Sequence, residues 1–281
     1  MTARTLAVVI AVRNEKSSIG SVLEALDSQT LRPRQVVVVD DGSDDGTGDI
    51  LNLAARKVHY QLATITLPSH KRSYVGRPEL AEVFNAGLRV LRSDVPGPDY
   101  VMILGGDHVL PSDYAEKIVT RMEGDPKLAV ASGWIVGEPY WEPAPRGSSM
   151  VVRVDFWERA GKLQFPVAYG WESWLRLKAA QMGYRTKSLR DVPTRVSRRT
   201  APTKGALYGR AMYSLGYFWP YAFGRCFLAA RGSPSNALQM LRGFVDHRGV
   251  SKLDVSDWVN AQQRTILVRR ALQILRMRGR A

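Results

Sequence analysis

Val36–Thr47 reads VVVVDDGSDDGT, and this stretch decides the fold. Four consecutive β-branched residues leave no polar position for a wetted sheet face, so they predict a strand buried on both faces, as parallel sheets have. The acidic, glycine-containing turn behind them leads into Ile50, Leu51 and Leu53, which predict a helix. Upstream, Leu6–Ala11 is a short apolar run that ends in the polar turn Arg13, Asn14, Glu15. Ile19, Val22, Leu23 and Leu26 then recur at helical spacing. Downstream, Leu62–Leu67 predicts a third strand and Glu79–Leu91 a helix. Tyr100–Leu104 is another strand, stopping at Gly105, Gly106 and Asp107. Pro111 and Ser112 open a helix carrying Ile118 and Met122, and Leu128–Val136 is the next strand. Strands alternating with helices predict an α/β domain around a mostly parallel sheet. Ligands of such sheets sit beyond the carboxyl ends of the strands, where Asp40, Asp41 and Asp107 all fall.

The last third is different in kind. Met1–Tyr184 carries 21 basic and 22 acidic residues, a net −1, whereas Arg185–Ala281 carries 19 and 4, a net +15; together they give the chain's +14. From Pro202 onward the segments read as helices rich in aromatics and arginine, broken at Pro220 and at Gly232–Ser233–Pro234. Such an excess is the footprint of a polyanion, either nucleic acid or an anionic membrane face. Ala211–Gly224 is uncharged and holds six aromatic residues between Arg210 and Arg225. Its 14 residues fall short of the roughly 20 that span a bilayer. Aromatic rings flanked by arginines instead suit the membrane interface. Leu267, Val268, Ala271, Leu272, Ile274 and Leu275 alternate with arginines in a basic amphipathic helix. Both segments can equally pack on the rest of the chain or on a second copy in a homodimer.

With 45% apolar and 23% charged residues among 281, the chain can fill a core and is not a disordered one. A single cysteine, Cys226, forms neither an internal bridge nor a structural zinc cluster, which makes a reducing compartment the default. Met1–Ile10 does not have the apolar run of a secretory signal, so the expected location is the cytosol, with peripheral attachment to the cytosolic face of a membrane.

Local roles suffice for any single residue of the Asp40–Thr47 turn: Asp44 or Asp45 can cap the following helix, and the glycines can make tight turns. Two adjacent carboxylates at a strand end ask for more, and the ring N–H of a nucleobase or ribose hydroxyls would supply it. Taken with Ala11, Arg13, Asn14 and Glu15, and with Asn85–Leu88 and the strand Tyr100–Leu104, the segment resembles family 2 glycosyltransferases of the GT-A fold over about the first two thirds of the chain. The resemblance implies a Rossmann-like catalytic domain, 1–200, with residues 201–281 as a helical extension for membrane-surface association or dimerisation. It implies transfer of a sugar from a nucleoside diphosphate with inversion of its anomeric centre, and it points to GDP-mannose as donor and a lipid-linked glycan or polyprenyl phosphate as acceptor. No nucleic-acid-binding motif accompanies the charge.

The resemblance also assigns residues. Ala11, Arg13, Glu15, Asp40, Asp41 and Gly105 would bind the donor nucleotide. The family's Asp-x-Asp element, which holds a divalent cation against the diphosphate, falls on Gly105, Gly106 and Asp107, so its first Asp is a glycine here. Asp107 alone would hold Mg²⁺ or Mn²⁺, since a hard cation can take one carboxylate plus substrate phosphates. His108 is a further candidate ligand or else a partly exposed loop residue. Counting back from Gly183 puts Glu172 at the general-base position, where it would take the acceptor hydroxyl's proton. Trp171 and Trp174 beside it would offer sugar platforms and a dry setting; the alternative is that Glu172 only favours the first turn of its helix. Arg198 and Arg199 would stabilise the departing diphosphate through guanidinium forks, with Arg72 and Arg77 in reserve. Gly147–Met150 and Arg153 would line the donor-sugar pocket. A sugar-nucleotide nucleotidyltransferase and a non-catalytic basic binding module are the alternatives; against the first, Arg13–Glu15 stands where a glycine-rich phosphate loop would be.

Overall fold

A computed structural model describes residues 4–92, 97–196 and 205–278. The expected α/β architecture is present. In chain order come β1 (Leu6–Val12), α1 (Ile19–Asp27), β2 (Gln35–Asp40), α2 (Thr47–Ala54), β3 (Gln61–Thr66), α3 (Pro78–Arg92), β4 (Tyr100–Gly105), α4 (Tyr114–Glu123), β5 (Leu128–Ile135), β6 (Ser149–Arg153), α5 (Val154–Gly161), α6 (Trp171–Gln181) and β7 (Arg185–Thr194). The strands form one sheet in the order β3-β2-β1-β4-β6-β5-β7. All neighbours run parallel except β6, which is antiparallel to both β4 and β5.

Val36–Val39 are fully buried, as their lack of a polar position predicts. On one face Val36 and Val38, with Val8, Ile10, Met102 and Leu104, meet Ile19, Leu23 and Leu26 of α1 and Tyr114, Ile118 and Met122 of α4. Each such side chain contributes about 2 kcal/mol by leaving water. Val9, Val37 and Val39 face the other way, towards α3. A Cβ on Gly87 would lie 2.5 Å from Val9 Cγ1, so only glycine lets α3 sit this close. Asn85 clasps the backbone of Phe165 from both sides, donating to its oxygen at 2.9 Å and accepting from its N–H at 2.8 Å. The motif residues Asn85 and Gly87 therefore hold the helix to the sheet.

Strand β6 was not foreseen. Its five residues are too few to show a period, and the stretch containing them was expected to line a sugar pocket. Met150, Val151 and Val152 are instead buried in the sheet. Arg153 donates to the Leu128 carbonyl at 3.1 Å and lies over the Tyr100 ring.

Contacts divide the chain into two compact units, one of Met1–Ser73, Leu80–Phe165 and Met182–Thr200, the other of Tyr74–Glu79, Pro166–Gln181 and Ala201–Ala281. The second unit thus takes α6 out of the stretch 1–200 and groups it with α7 (Gly205–Ser214), α8 (Trp219–Ala230), α9 (Pro234–Asp246) and α10 (Ser256–Arg278). Helices α7 and α9 touch backbone to backbone through Gly209 and Gly243, where added Cβ atoms would come within 2.2 Å of carbonyl oxygens. Met212, Ala222, Cys226, Met240 and Phe244 form this unit's small core. The break at Gly232–Ser233–Pro234 starts α9, with Ser233 Oγ accepting from the Asn236 N–H at 3.3 Å and Pro234 in the first turn.

The uncharged segment 211–224 is not one interfacial element. It is divided between the end of α7, a turn, and the first half of α8, because Gly216 turns at a positive φ of 74° against Ser256. The helix expected near the carboxyl end exists as α10, but the side chains from Arg270 onward lie outside those described.

Candidate active site

Register places three loops side by side. Ala11 pairs with Val39 of β2 and with Gly105 of β4, and Val12 pairs with Asp40. The turns after β1, β2 and β4 therefore leave the sheet at one carboxyl edge, about 5 Å apart from strand to strand. Ala11, Arg13, Glu15, Asp40, Asp41, Gly105 and Asp107 are brought together there.

The first two turns are laced to each other. Ser43 Oγ accepts from the Asn14 N–H at 2.9 Å, Asn14 Oδ1 accepts from the Asp44 N–H at 3.0 Å, Thr47 Oγ1 accepts from the Glu15 N–H at 2.9 Å, and Asp45 accepts from the Lys16 N–H at 3.0 Å. Asp45 also accepts from the Thr47 N–H at 2.9 Å, so it rather than Asp44 shapes the start of α2. Gly42 adopts a φ of 72°, and a Cβ there would lie 2.5 Å from Ser69 Cα. The repeated Asp-Gly pattern is thus explained by backbone demands, which leaves the two carboxylates at its head.

Asp40 and Asp41 are both buried. Asp40 Oδ1 closes the turn by accepting from the Ser43 N–H at 2.9 Å. Asp41 faces a partner that sequence reading missed: His70 Nε2 lies 3.0 Å from Asp41 Oδ2. His70 Nδ1 is 2.7 Å from Arg13 Nη1, and that guanidinium also donates to the carbonyls of Arg72, at 2.8 Å, and of His70. Since arginine can only donate, Nδ1 accepts and Nε2–H donates to Asp41. Burial pushes the Asp41 carboxyl above the usual carboxylate range, against the opposing pull of His70 and Arg13. Arg13 and His70 form one hydrogen-bonded relay behind Asp41. The signal was available: His70 follows the carboxyl end of β3, which ends at the same edge.

At the end of β4, a Cβ on Gly106 would lie 2.7 Å from Val12 Cγ1 and 3.1 Å from Glu15 Cγ, so Gly106 holds its loop against the first turn. A Cβ on Gly105 would meet Asp107 Oδ1 at 3.3 Å, so the Asp107 carboxylate folds back over Gly105. Glu15 accepts from Ser18 Oγ at 2.7 Å. His108 is not partly exposed, and both its ring nitrogens are engaged by the protein. It is fully buried, with Nδ1 on the Ser148 carbonyl at 2.5 Å and Nε2 on Thr194 Oγ1 at 2.6 Å, and burial lowers its pKa. Its role is to pin the loop that carries Asp107.

Among the described residues no group of three or more His, Cys, Asp or Glu side chains could hold a metal ion. What the β4 edge offers is the Asp107 carboxylate, a hard oxygen donor. That fits a Mg²⁺ or Mn²⁺ ion taking its other ligands from a diphosphate and water.

Glu172 stands in the second unit, exposed in the first turn of α6. Gly170, with a φ of 86° and packed against Leu215 and Ala211, makes the turn into the helix and accepts from the Trp174 N–H at 2.8 Å. The tryptophans are not sugar platforms. Each is only 3% exposed, and Trp174 Nε1 donates to Asp254 Oδ1 at 2.6 Å. Apolar neighbours bury the two rings, while Glu172 is exposed at the start of the helix. Lys178 pairs with Asp254 at 2.5 Å, a second tie between α6 and the turn before α10. Arg198 and Arg199 lie outside the described residues. The Arg72 side chain is exposed, and Arg77 belongs to the second unit.

The sequence pattern that describes glycosyl transferase family 2 matches residues 7–192, about two thirds of the chain. The chain belongs to this family. Solved structures with the same GT-A fold include a mannosyltransferase from Pyrobaculum calidifontis in complex with GDP-Man and Mn²⁺, at 19% identity over 95% of this chain and 81% of that one, with a TM-score of 0.58. Glucosyl-3-phosphoglycerate synthase from Mycobacterium tuberculosis matches at 15% identity over 75% and 78%, TM-score 0.54. S. aureus TarS 1-349 matches at 18% over 74% and 63%, TM-score 0.53. No curated protein sequence matches the chain. As a family 2 member the chain is a glycosyltransferase, which decides against the nucleotidyltransferase and the non-catalytic module. No helix among the described residues is long and apolar enough to cross a membrane.

Proposed function

We propose that this glycosyltransferase moves mannose from GDP-mannose, with inversion, to a hydroxyl of a lipid-linked glycan or polyprenyl-phosphate acceptor at the cytosolic face of an anionic membrane. The observation that carries the reading is that Asp40 and Asp41 after β2 and Asp107 after β4 leave the sheet at one carboxyl edge, on either side of β1. Asp41, with Oδ2 engaged by His70, would use its remaining acceptor capacity for an N–H of the guanine edge. Asp107 would hold the divalent cation, which when bound supplies positive charge against the diphosphate leaving group. Glu172 would accept the acceptor hydroxyl's proton; its exposure in a first helical turn, where backbone amides favour a carboxylate, suits a base that meets its substrate from solvent. Arg198 and Arg199 would share the diphosphate's charge. The choice of mannose is supported by the mannosyltransferase among the fold neighbours, whose complex holds GDP-Man and Mn²⁺.

Isothermal titration of the chain with GDP-, UDP- and dTDP-sugars, with and without Mn²⁺, tests this. GDP-mannose should bind tightest and should need the cation. Preference for a uridine or thymidine donor would reject the donor assignment, and cation-independent binding would reject the role of Asp107.

A further inference from the structure

Helix α8 shows its aromatic residues to solvent. Ala222, Cys226 and the partly buried Ala229 face the small core of the second unit. Away from that core, Trp219, Phe223 and Phe227 recur one turn apart at 62%, 39% and 69% exposure, with Leu228 beside them at 58%. Trp219 and Phe223 meet edge to face at 5.9 Å, and the Arg231 guanidinium lies 5.9 Å over the Phe227 ring. Gly224 and Arg225 are also exposed on this helix. Three large aromatic side chains in one open row exceed the scattered apolar exposure of an ordinary surface.

The surrounding charge selects the occupant. Residues 205–245 contain four arginines, Arg210, Arg225, Arg231 and Arg242, and no Asp or Glu. Apposing this face to the same face of a second copy would bring like charges together, which costs several kcal/mol. A leaflet of anionic lipid offers negative headgroups to the arginines and, just beneath them, an apolar zone for the rings.

We infer that the outward face of α8, Trp219–Phe223–Phe227–Leu228, is the surface by which the protein docks on an anionic lipid bilayer. The rings enter the headgroup boundary while Arg225 and Arg231 bind lipid phosphates. The inference rests, for its setting, on the lipid-linked acceptor proposed above. It narrows the sequence-level expectation from the uncharged run 211–224 to one helix face.

Gly224 supplies a test that spares the fold, because a Cβ there meets nothing within 4 Å. The full chain is sedimented with vesicles of equimolar phosphatidylcholine and phosphatidylglycerol, beside vesicles of phosphatidylcholine alone. Wild type should partition onto the anionic vesicles only. Gly224→Glu and the double variant Phe223→Ser/Phe227→Ser should each bind at least about tenfold more weakly, while Gly224→Ala binds as wild type. Three results would overturn the inference: variants that bind anionic vesicles unchanged, wild type that ignores lipid charge, or variants whose only change is loss of a dimer in sedimentation velocity. Donor titration on the same preparations keeps the two readings apart. Vesicle binding that depends on α8 stands even if no GDP-sugar binds, and normal donor binding with no vesicle binding sinks only the docking face.

Discussion

Asp41 shows how a single residue can be tuned by neighbours remote in sequence. Burial, with a smaller push from the Asp40 charge, raises its carboxyl, and the His70 N–H is the main group holding it towards the ionised form. If Asp41 accepts from the donor's base, affinity needs the carboxylate and is lost as pH falls through its pKa. Removing the favouring hydrogen bond raises that pKa, so His70→Ala should shift the acid limb of donor affinity to higher pH and weaken binding roughly tenfold near neutrality. His70→Asn, which can still donate to Asp41, should restore part of the affinity. Titration across the acid range checks this; a uniform loss with an unmoved limb would make His70 a mere loop anchor. Glu172 is read by a different split. Glu172→Gln should lower transfer by about a hundred- to ten-thousandfold while donor affinity stays near normal, measured as kcat for transfer beside the titrated Kd. The position of Asp40 and Asp41 at the end of a buried strand was legible from the valine run before them. His70 was legible only in its place, just beyond the carboxyl end of β3, since a lone histidine in a basic loop carries no spacing that names its partner.

Elements were legible where periodicity was long. The valine run, the helical repeats of α1 and α3 and the Gly-Gly-Asp stop of β4 gave the parallel half of the sheet. Strand β6 escaped because its pairing is antiparallel and non-local, fixed by neighbours β4 and β5 rather than by its own five residues. Trp171 and Trp174 misled for a related reason: sequence places rings next to Glu172, but helix geometry turns them into the core. The far end of the sheet is held by another cluster. Glu123, in the last turn of α4 where the helix dipole opposes a carboxylate, accepts from the Tyr100 hydroxyl at the start of β4 and pairs with Arg4 at 2.8 Å and Arg153 at 3.7 Å. The Tyr100 hydrogen bond, followed by Arg4, holds its carboxyl below the ordinary value of 4.5. A lowered folded-state pKa means that the unfolded chain takes the proton first. This stabilisation is complete above pH 4.5 and is lost as pH falls through the lowered value. Glu123→Gln should therefore cost about 1 kcal/mol near neutrality and less on the acid side, read from urea unfolding at both pH values.

At the scale of the whole molecule, the order of the chain and the order of packing disagree. A boundary near residue 200 follows from the change in composition and charge, but α6 and the short stretch Tyr74–Glu79 group with the C-terminal helices. The ties are specific: Trp174 and Lys178 both bond Asp254, and Gly170 packs on Leu215 and Ala211. Composition could not reveal this, because α6 lies in sequence between α5 and β7, within the stretch that matches the family. A fragment ending at Thr200 would keep α6 but lose Asp254 and the α7 residues on which its first turn rests. Trp171, Trp174 and Leu175, now buried, would be left with too little of their unit to cover them, and exposing side chains of that size costs several kcal/mol. We expect the fragment 1–200 to aggregate or to unfold at least about 10 °C below the full chain, with early proteolytic cleavage within 166–181, while the strands β1–β4 stay protected. Hydrogen exchange followed peptide by peptide would show this. Protection of α6 in the fragment equal to that in the full chain would mean that the helix draws its stability from the sheet-bearing unit and that the division by contacts has no energetic counterpart.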